Sequence, residues 1–206
     1  MKWVTSTKAM AFISLLWLLT VGAGTAILLK YSNTAGPDET APAHWPTQTR
    51  IAQSSREATL IMFAHPRCPC TRASIGELAE LMAHCQGLVS AHVVFFRPGT
   101  FDEDWTRSDL WRSAAAIPGV SVQSDQDGQE AKFFHAATSG HTMLYDTHGD
   151  LVFDGGITSA RGHAGDNAGR DAIETFLHGA PTGTAQTPVF GCLILNPKSS
   201  ATNGGE

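Results

Sequence analysis

The stretch HPRCPCTRAS, residues 65–74, sets Cys68 and Cys70 on either side of Pro69 in a chain with four cysteines. Two thiols at this spacing suit a redox pair, a pair of soft metal ligands, or two core residues that happen to be close. Pro69 suits the first helical position, because its missing N–H would be unbonded there anyway. Cys68 is then the cap of a helix and Cys70 lies in its first turn. Both sulfurs sit at the positive end of the helix dipole, with Arg67 adjacent, a setting that lowers a thiol pKa. A disulfide between positions i and i+2 closes a small ring whose geometry is hard to satisfy. Such a bridge would be labile and oxidising, a transient state rather than a staple. The cap position is expected to expose Cys68 more than Cys70, so Cys68 attacks and Cys70 resolves.

The other two cysteines read differently. Cys85 falls late in the helix that follows the pair and is expected in the core. Cys192 lies in VFGCLIL, an apolar island in a polar tail. That island should dock, bringing Cys192 either to the pair as a resolving thiol or into the interior as a small hydrophobe.

The elements that must hold these residues follow from pattern. ATLIMFA (58–64) is an apolar run suited to a buried strand, and it leads straight into the cysteines. TRASIGELAELMAHCQG places Ile75, Leu78, Ala79 and Met82 on one helical face, with Gly87 as stop. SAHVVFFRPG is a second strand ended by Pro98 and Gly99. DEDWTRSDLWRSAAAI reads as one helix, with Trp105 and Trp111 packing from it, and GQEAKFFHAAT as another. Between them GVSVQSD is a short strand or extended segment. HTMLYDTHGDLVFDGGI is a hairpin with a Gly-containing turn. NAGRDAIETFLHG closes the domain as a helix capped by Asp166 or Asn167. Alternating strands and helices give a sheet covered on both faces.

The return strand of the hairpin brings the loop TSARGHAGDN back to the cysteine side of the sheet, with Arg161 and His163 within reach. The same loop could merely cap the last helix. His141 opens the hairpin strand that faces the cysteines, where it could tune a thiolate, bind a metal or be partly buried.

The amino-terminal run AMAFISLLWLLTVGAGTAILL carries no charge between Lys8 and Lys30. It is about as long as a helix needs to cross a bilayer core of roughly 30 Å. VGAGTA could be a signal cleavage site, but Ile27, Leu28 and Leu29 continue the run beyond it, so an uncleaved anchor is the reading. Lys2 and Lys8 favour a cytoplasmic amino end. Residues 1–8 are then the cytoplasmic end, 9–29 the transmembrane anchor, 30–49 a flexible Pro- and Thr-rich linker, 50–180 the folded domain, and 181–206 a tail with a docking segment at 188–195. Net charge is −5 and no stretch is densely basic, which gives nucleic-acid binding no support.

LIMFAHPRCPCTRASIGEL resembles the first strand, active-site turn and first helix of thioredoxin-like proteins, and TMLYDTHGDLVFDGG resembles their terminal hairpin. GGITSARGHAGDNAG with VFGC resembles, more narrowly, the RedB-type branch of exported thioredoxin-like proteins. The resemblance implies an α/β/α three-layer sandwich with a terminal hairpin over residues 55–195. The departures are informative. Family members carry Cys-x-x-Cys; here Arg67 takes the first cysteine's place and Cys70 the second's. His141 stands where they place a cis-proline, and a trans bond is expected there. Peroxiredoxins need a Thr three residues before the reactive cysteine; His65 and Arg67 hold those places, against peroxidase chemistry. Cys-Pro-Cys also lacks the following His of c-type haem attachment.

The expectation is a single-pass inner-membrane protein whose periplasmic domain exchanges thiols and disulfides with other proteins through Cys68 and Cys70. Cys192, Arg67, His141, Arg161 and His163 are auxiliary candidates, and no cofactor is required. The alternative is a metallochaperone-like Cu(I) site at Cys68, Cys70 and a histidine, His141 or else His163, as two thiolates and an imidazole would suit copper.

Overall fold

The computed structural model describes residues 7–37, 39–180 and 185–195. The chain divides between Thr34 and Ala35 into two units. In the first, α1 (Thr7–Ser32) is a single helix of 26 residues. At about 1.5 Å per residue it runs about 39 Å, and the span Ala9–Ser32 is long and apolar enough to cross a membrane. The helix continues past the expected end at residue 29.

The second unit is built on six strands. They are β1 (Ala58–Ala64), β2 (Val89–Arg97), β3 (Val120–Gln126), β4 (His141–Tyr145), β5 (Leu151–Gly156) and β6 (Ala185–Gln186). The sheet order is β3-β2-β1-β4-β5-β6. β1, β2 and β3 run parallel, β4 is antiparallel to β1 and β5, and β6 lies parallel to β5. A parallel half followed by an antiparallel hairpin and a closing helix makes the fold thioredoxin-like. β1 is central and buried at every position, which is why its sequence is an unbroken apolar run.

Alternation along β1 divides the core. Leu60 and Met62 face α2 (Thr71–His84), α3 (Asp109–Ala115) and α5 (Ala168–Leu177), packing with Leu78, Leu110 and Ile173. Cys85 joins this core, fully buried. Ile61 and Phe63 face α4 (Gln129–Phe133), packing with Phe134, Met143 and Tyr145.

Two expectations are corrected. The stretch read as one tryptophan-bearing helix is broken. A 3-10 turn at Glu103–Trp105 precedes α3, and Ser108 caps α3 by accepting from the Trp111 N–H. A serine that can bond the backbone outside a helix favours such a restart.

The segment from Ala35 onward is not a free linker. Ala41 and Ile51 are each 4 % exposed. Ala41 N–H donates to Asp154 Oδ2 at 3.1 Å. Trp45 N–H donates to the Gly149 carbonyl and the Leu151 N–H to the Ala43 carbonyl. The Trp45 ring meets Phe134 and Tyr145 edge-on at 5.3 and 5.2 Å. An extended chain that spends its backbone groups on the hairpin needs no periodicity, so composition alone suggests a tether.

Candidate functional site

β1 ends at Ala64 and the chain turns at once. The Cys68 N–H donates to the His65 carbonyl and the Thr71 N–H to the Cys68 carbonyl, winding residues 65–71 into tight turns that feed α2. The cap is Cys70 rather than Cys68, and it makes no side-chain cap bond. Helix ends of this kind shift by a residue or two where the entering turn is itself helical. Both cysteines are buried. Cys68 is 1 % exposed and Cys70 8 %, reversing the expected order.

Ser139, in the loop before β4, fixes this turn. Its Oγ accepts from the His65 N–H at 2.8 Å and shares a hydrogen bond with Thr71 Oγ1 at 2.7 Å. The Ser139 N–H donates in turn to the Cys192 carbonyl, and the Ile194 N–H to the Ala137 carbonyl. Thr138 and Leu193 form an antiparallel bridge. The apolar island of the tail is therefore a short strand laid along residues 137–139. Gly191 lies flat on that edge, since a Cβ there would sit 1.8 Å from the Ser139 carbonyl oxygen. This docking sets Cys192 Sγ 2.7 Å from Cys68 Sγ. The separation is shorter than an ordinary non-bonded carbon contact of about 3.5–4.0 Å, and both are free thiols.

The three thiols titrate unlike one another. Burial works against a Cys68 thiolate, yet the Cys192 thiol, the Thr71 hydroxyl and the backbone N–H groups of both residues stabilise it. They hold its pKa below the ordinary thiol value. Burial pushes Cys192 up to about 12, helped by its bond and charge interaction with Cys68 and by the charge of Cys70, with Arg161 opposing. Burial, the charge of Cys68 and a side-chain hydrogen bond with Cys68 also raise Cys70, again against Arg161. Of the three, Cys68 is the thiol whose ionised form the surroundings favour.

Arg161 NH1 donates to the Gly191 carbonyl, so this guanidinium holds the tail and faces two of the sulfurs. Its loop is anchored from beneath by a buried ion pair, Arg170 NH1 to Glu77 Oε2 at 2.6 Å. Glu77 also accepts from the Gly165 N–H and Asn167 Nδ2. Asn167 caps α5 by accepting from the Arg170 N–H at 2.9 Å. The loop both caps the helix and delivers Arg161.

The other candidates have partners of their own. Arg67 stacks on Trp105, its guanidinium carbon 4.9 Å from the ring centre. His65 lies edge-on to the same Trp105, and burial and Arg67 lower its pKa. His163 is exposed, with Nδ1 against the Arg161 carbonyl. His141 is 1 % exposed, and its Nε2 pairs with Asp154 Oδ1 at 2.6 Å. The copper set of Cys68, Cys70 and His141 is therefore not assembled. Among the described residues no three His, Cys, Asp or Glu side chains form a metal-binding group. Thr71, Glu77, Arg170 and Asp154, from positions whose sequence shows only helix or strand pattern, and Ser139, from the loop before β4, complete the surroundings of the sulfurs and of His141.

No family model and no curated protein matches the chain. Solved structures do. A hypothetical protein from Sinorhizobium meliloti superposes with a TM-score of 0.60 at 22% identity, covering 78% of this chain and 97% of its own. An uncharacterized conserved protein from Geobacillus kaustophilus gives 0.57 at 22% identity, covering 81% and 95%. The thioredoxin domain of a thiol-disulfide oxidoreductase from Bacteroides vulgatus gives 0.42 at 15%, covering 71% and 97%. The first two are likenesses of fold, and the third is too loose an overlay to carry an argument.

Proposed function

We propose, with the thioredoxin-like fold as premise, that this chain is a membrane-anchored thiol–disulfide oxidoreductase in which Cys68 is the attacking thiolate. One observation carries the reading: Cys68 is the thiol whose neighbours donate to it and lower its pKa, at the entrance to α2 and in contact with a second thiol. A thiolate is the form that attacks a disulfide sulfur. Cys68 Sγ attacks one sulfur of a partner protein's disulfide, that S–S bond breaks, and the partner's other sulfur leaves as a thiolate. A second thiol of the site then attacks Cys68 Sγ. This releases the partner's remaining sulfur and leaves the site oxidised by two electrons. The reverse sequence oxidises a partner dithiol. Neither direction needs a cofactor.

The apolar helix α1 supports an anchor, and its flanking Lys2 and Lys8 support a domain on the periplasmic side of an inner membrane. Persistent disulfides fit such a compartment. The RedB-type motifs GGITSARGHAGDNAG and VFGC supply Arg161, which holds the Gly191 carbonyl, and Cys192, which meets Cys68, and this supports assignment to that branch. No observation supports the copper reading, since among the described residues no three His, Cys, Asp or Glu side chains form a metal-binding group.

The test uses the full chain in detergent, equilibrated in glutathione buffers of graded potential, with every cysteine counted by alkylation and mass spectrometry. The reading expects a reversible two-electron transition that Cys68→Ser abolishes. A transition that survives Cys68→Ser would remove the reading.

A further inference from the structure

We infer that Cys192, rather than Cys70, is the thiol that resolves the mixed disulfide on Cys68, and that the tail strand carrying it is a movable arm. The inference rests on the reading of Cys68 as the attacking thiolate.

Three observations converge on the assignment. The short sulfur contact of Cys68 is with Cys192, 124 positions away in sequence. Cys70 also hydrogen-bonds to Cys68 through its side chain, but it follows by only two residues, and a disulfide at that spacing closes a small ring whose geometry is hard to satisfy. The tail is also held for this purpose by bonds at both sides of the cysteine. The Cys192 carbonyl accepts from the Ser139 N–H, the Ile194 N–H donates to Ala137, and Arg161 holds the Gly191 carbonyl. Such a clamp fixes one sulfur on another far more closely than apolar docking alone requires.

The same clamp closes the site. Cys68 is 1 % exposed with the arm in place. No partner sulfur can approach until the strand 191–194 leaves the edge at 137–139. Departure costs a few backbone hydrogen bonds and the burial of Ile194, a local opening rather than unfolding. The freed edge offers the Ser139 N–H and Ala137 carbonyl, the groups the arm itself uses. An incoming partner of matching form is an extended polypeptide segment carrying a cysteine of a disulfide, able to add as a strand.

The cycle balances as follows. With the arm displaced, Cys68 Sγ bonds to one partner sulfur and the other leaves as thiolate. As the arm returns, Cys192 Sγ bonds to Cys68 Sγ and its proton passes to the partner thiolate already released. The Cys68–partner S–S bond breaks and the second partner thiolate leaves. The partner has gained two electrons and the chain holds a Cys68–Cys192 disulfide, which a dithiol of a second protein reduces by the reverse steps. The high pKa of Cys192 keeps its sulfur protonated and unreactive while Cys68 is a thiolate. Forming the mixed disulfide neutralises Cys68 and removes its share of that restraint, burial being the larger share.

Glutathione disulfide is the probe, added to the reduced full-length chain in detergent, with intact mass followed over time. In the parent chain, glutathione on Cys68 should be short-lived and give way to a disulfide mapped to Cys68 and Cys192. Cys192→Ser should prolong the glutathione adduct at least roughly tenfold, since the thiol that resolves it is gone and Cys70 could close only the strained i, i+2 ring. Gly191→Ala should do the same with all four cysteines present, because its methyl group collides with the Ser139 carbonyl and undocks the arm. Cys70→Ser should decay within about twofold of the parent. Circular dichroism of each variant checks that the domain is folded. Accumulation in Cys70→Ser, or a disulfide mapped to Cys68 and Cys70, would overturn the inference while leaving Cys68 as nucleophile. A parent chain in which Cys68 never acquires glutathione would instead remove the reading beneath it.

Discussion

Cys68 lies at the amino end of α2 and Cys192 in the carboxyl-terminal tail, yet their sulfurs are 2.7 Å apart. The contact is made by backbone pairing between the tail and the loop before β4, so the chemistry of Cys68 depends on a segment far from it in sequence. Four consequences can be measured.

Cys192 and Thr71 stabilise the Cys68 thiolate, so removing either donor should raise its pKa. The rate of iodoacetamide modification at Cys68, followed against pH, should show a midpoint below that of an ordinary thiol. Thr71→Val should move the midpoint up and slow modification near neutral pH by roughly three- to tenfold, the effect of one hydrogen bond. An unmoved midpoint would show that the hydroxyl does nothing for the thiolate.

The sign of the pH effect on stability follows from the same group. A folded-state pKa below the unfolded value stabilises the fold above the unfolded pKa, and that contribution is lost as pH falls through the folded one. Cys192 acts oppositely, because its raised pKa stabilises the fold below the unfolded value and the gain is lost toward pH 12. Cys192→Ser should therefore flatten the alkaline loss of stability. Urea titrations of both proteins between neutral and strongly alkaline pH measure it, and parallel curves would contradict the assignment.

Glu77 and Arg170 form a buried ion pair beneath the Arg161 loop. Glu77→Ala leaves the guanidinium short of its innermost partner and strips the Gly165 N–H of its acceptor. A loss of roughly 3–5 kcal/mol is expected, with Glu77→Gln milder because it keeps an acceptor. Denaturant unfolding reads both. Equal stability of Glu77→Ala and the parent would mean the pair is not formed in solution.

Asp154 joins His141 to the docked segment at Ala41 through its two oxygens. Asp154→Ala leaves a buried imidazole and a backbone N–H without partners, at a cost of roughly 1–3 kcal/mol for each group. The Ala41 amide should then exchange with deuterium faster than in the parent. Unchanged exchange would return residues 35–49 to the status of a free linker.

Much of this arrangement is legible in the sequence where the signal is local. The apolar run of β1, the face of α2 and the hairpin around Gly149 read directly, because burial on both sides of a strand or along a helix stripe leaves a periodic trace. The Cys-Pro-Cys turn stands out by residue type rather than by period. What fails is whatever depends on a partner distant in sequence. Nothing near Cys192 says that its strand will lie on residues 137–139, and nothing near His141 says that Asp154 will claim its ring. Residues 35–49 read as a tether because proline and threonine serve docked extended chain as well as free chain. Ser108 divides one expected helix into two because a single side-chain oxygen can outbid helical continuation.

The most direct measurement is the identity of the disulfide. The full chain in detergent is oxidised in a glutathione buffer, quenched with acid, blocked, digested and mapped by mass spectrometry. A linkage between Cys68 and Cys192, absent in Cys68→Ser, is the expected result. A linkage between Cys68 and Cys70 with Cys192 recovered as a free thiol would contradict the central role given to the tail.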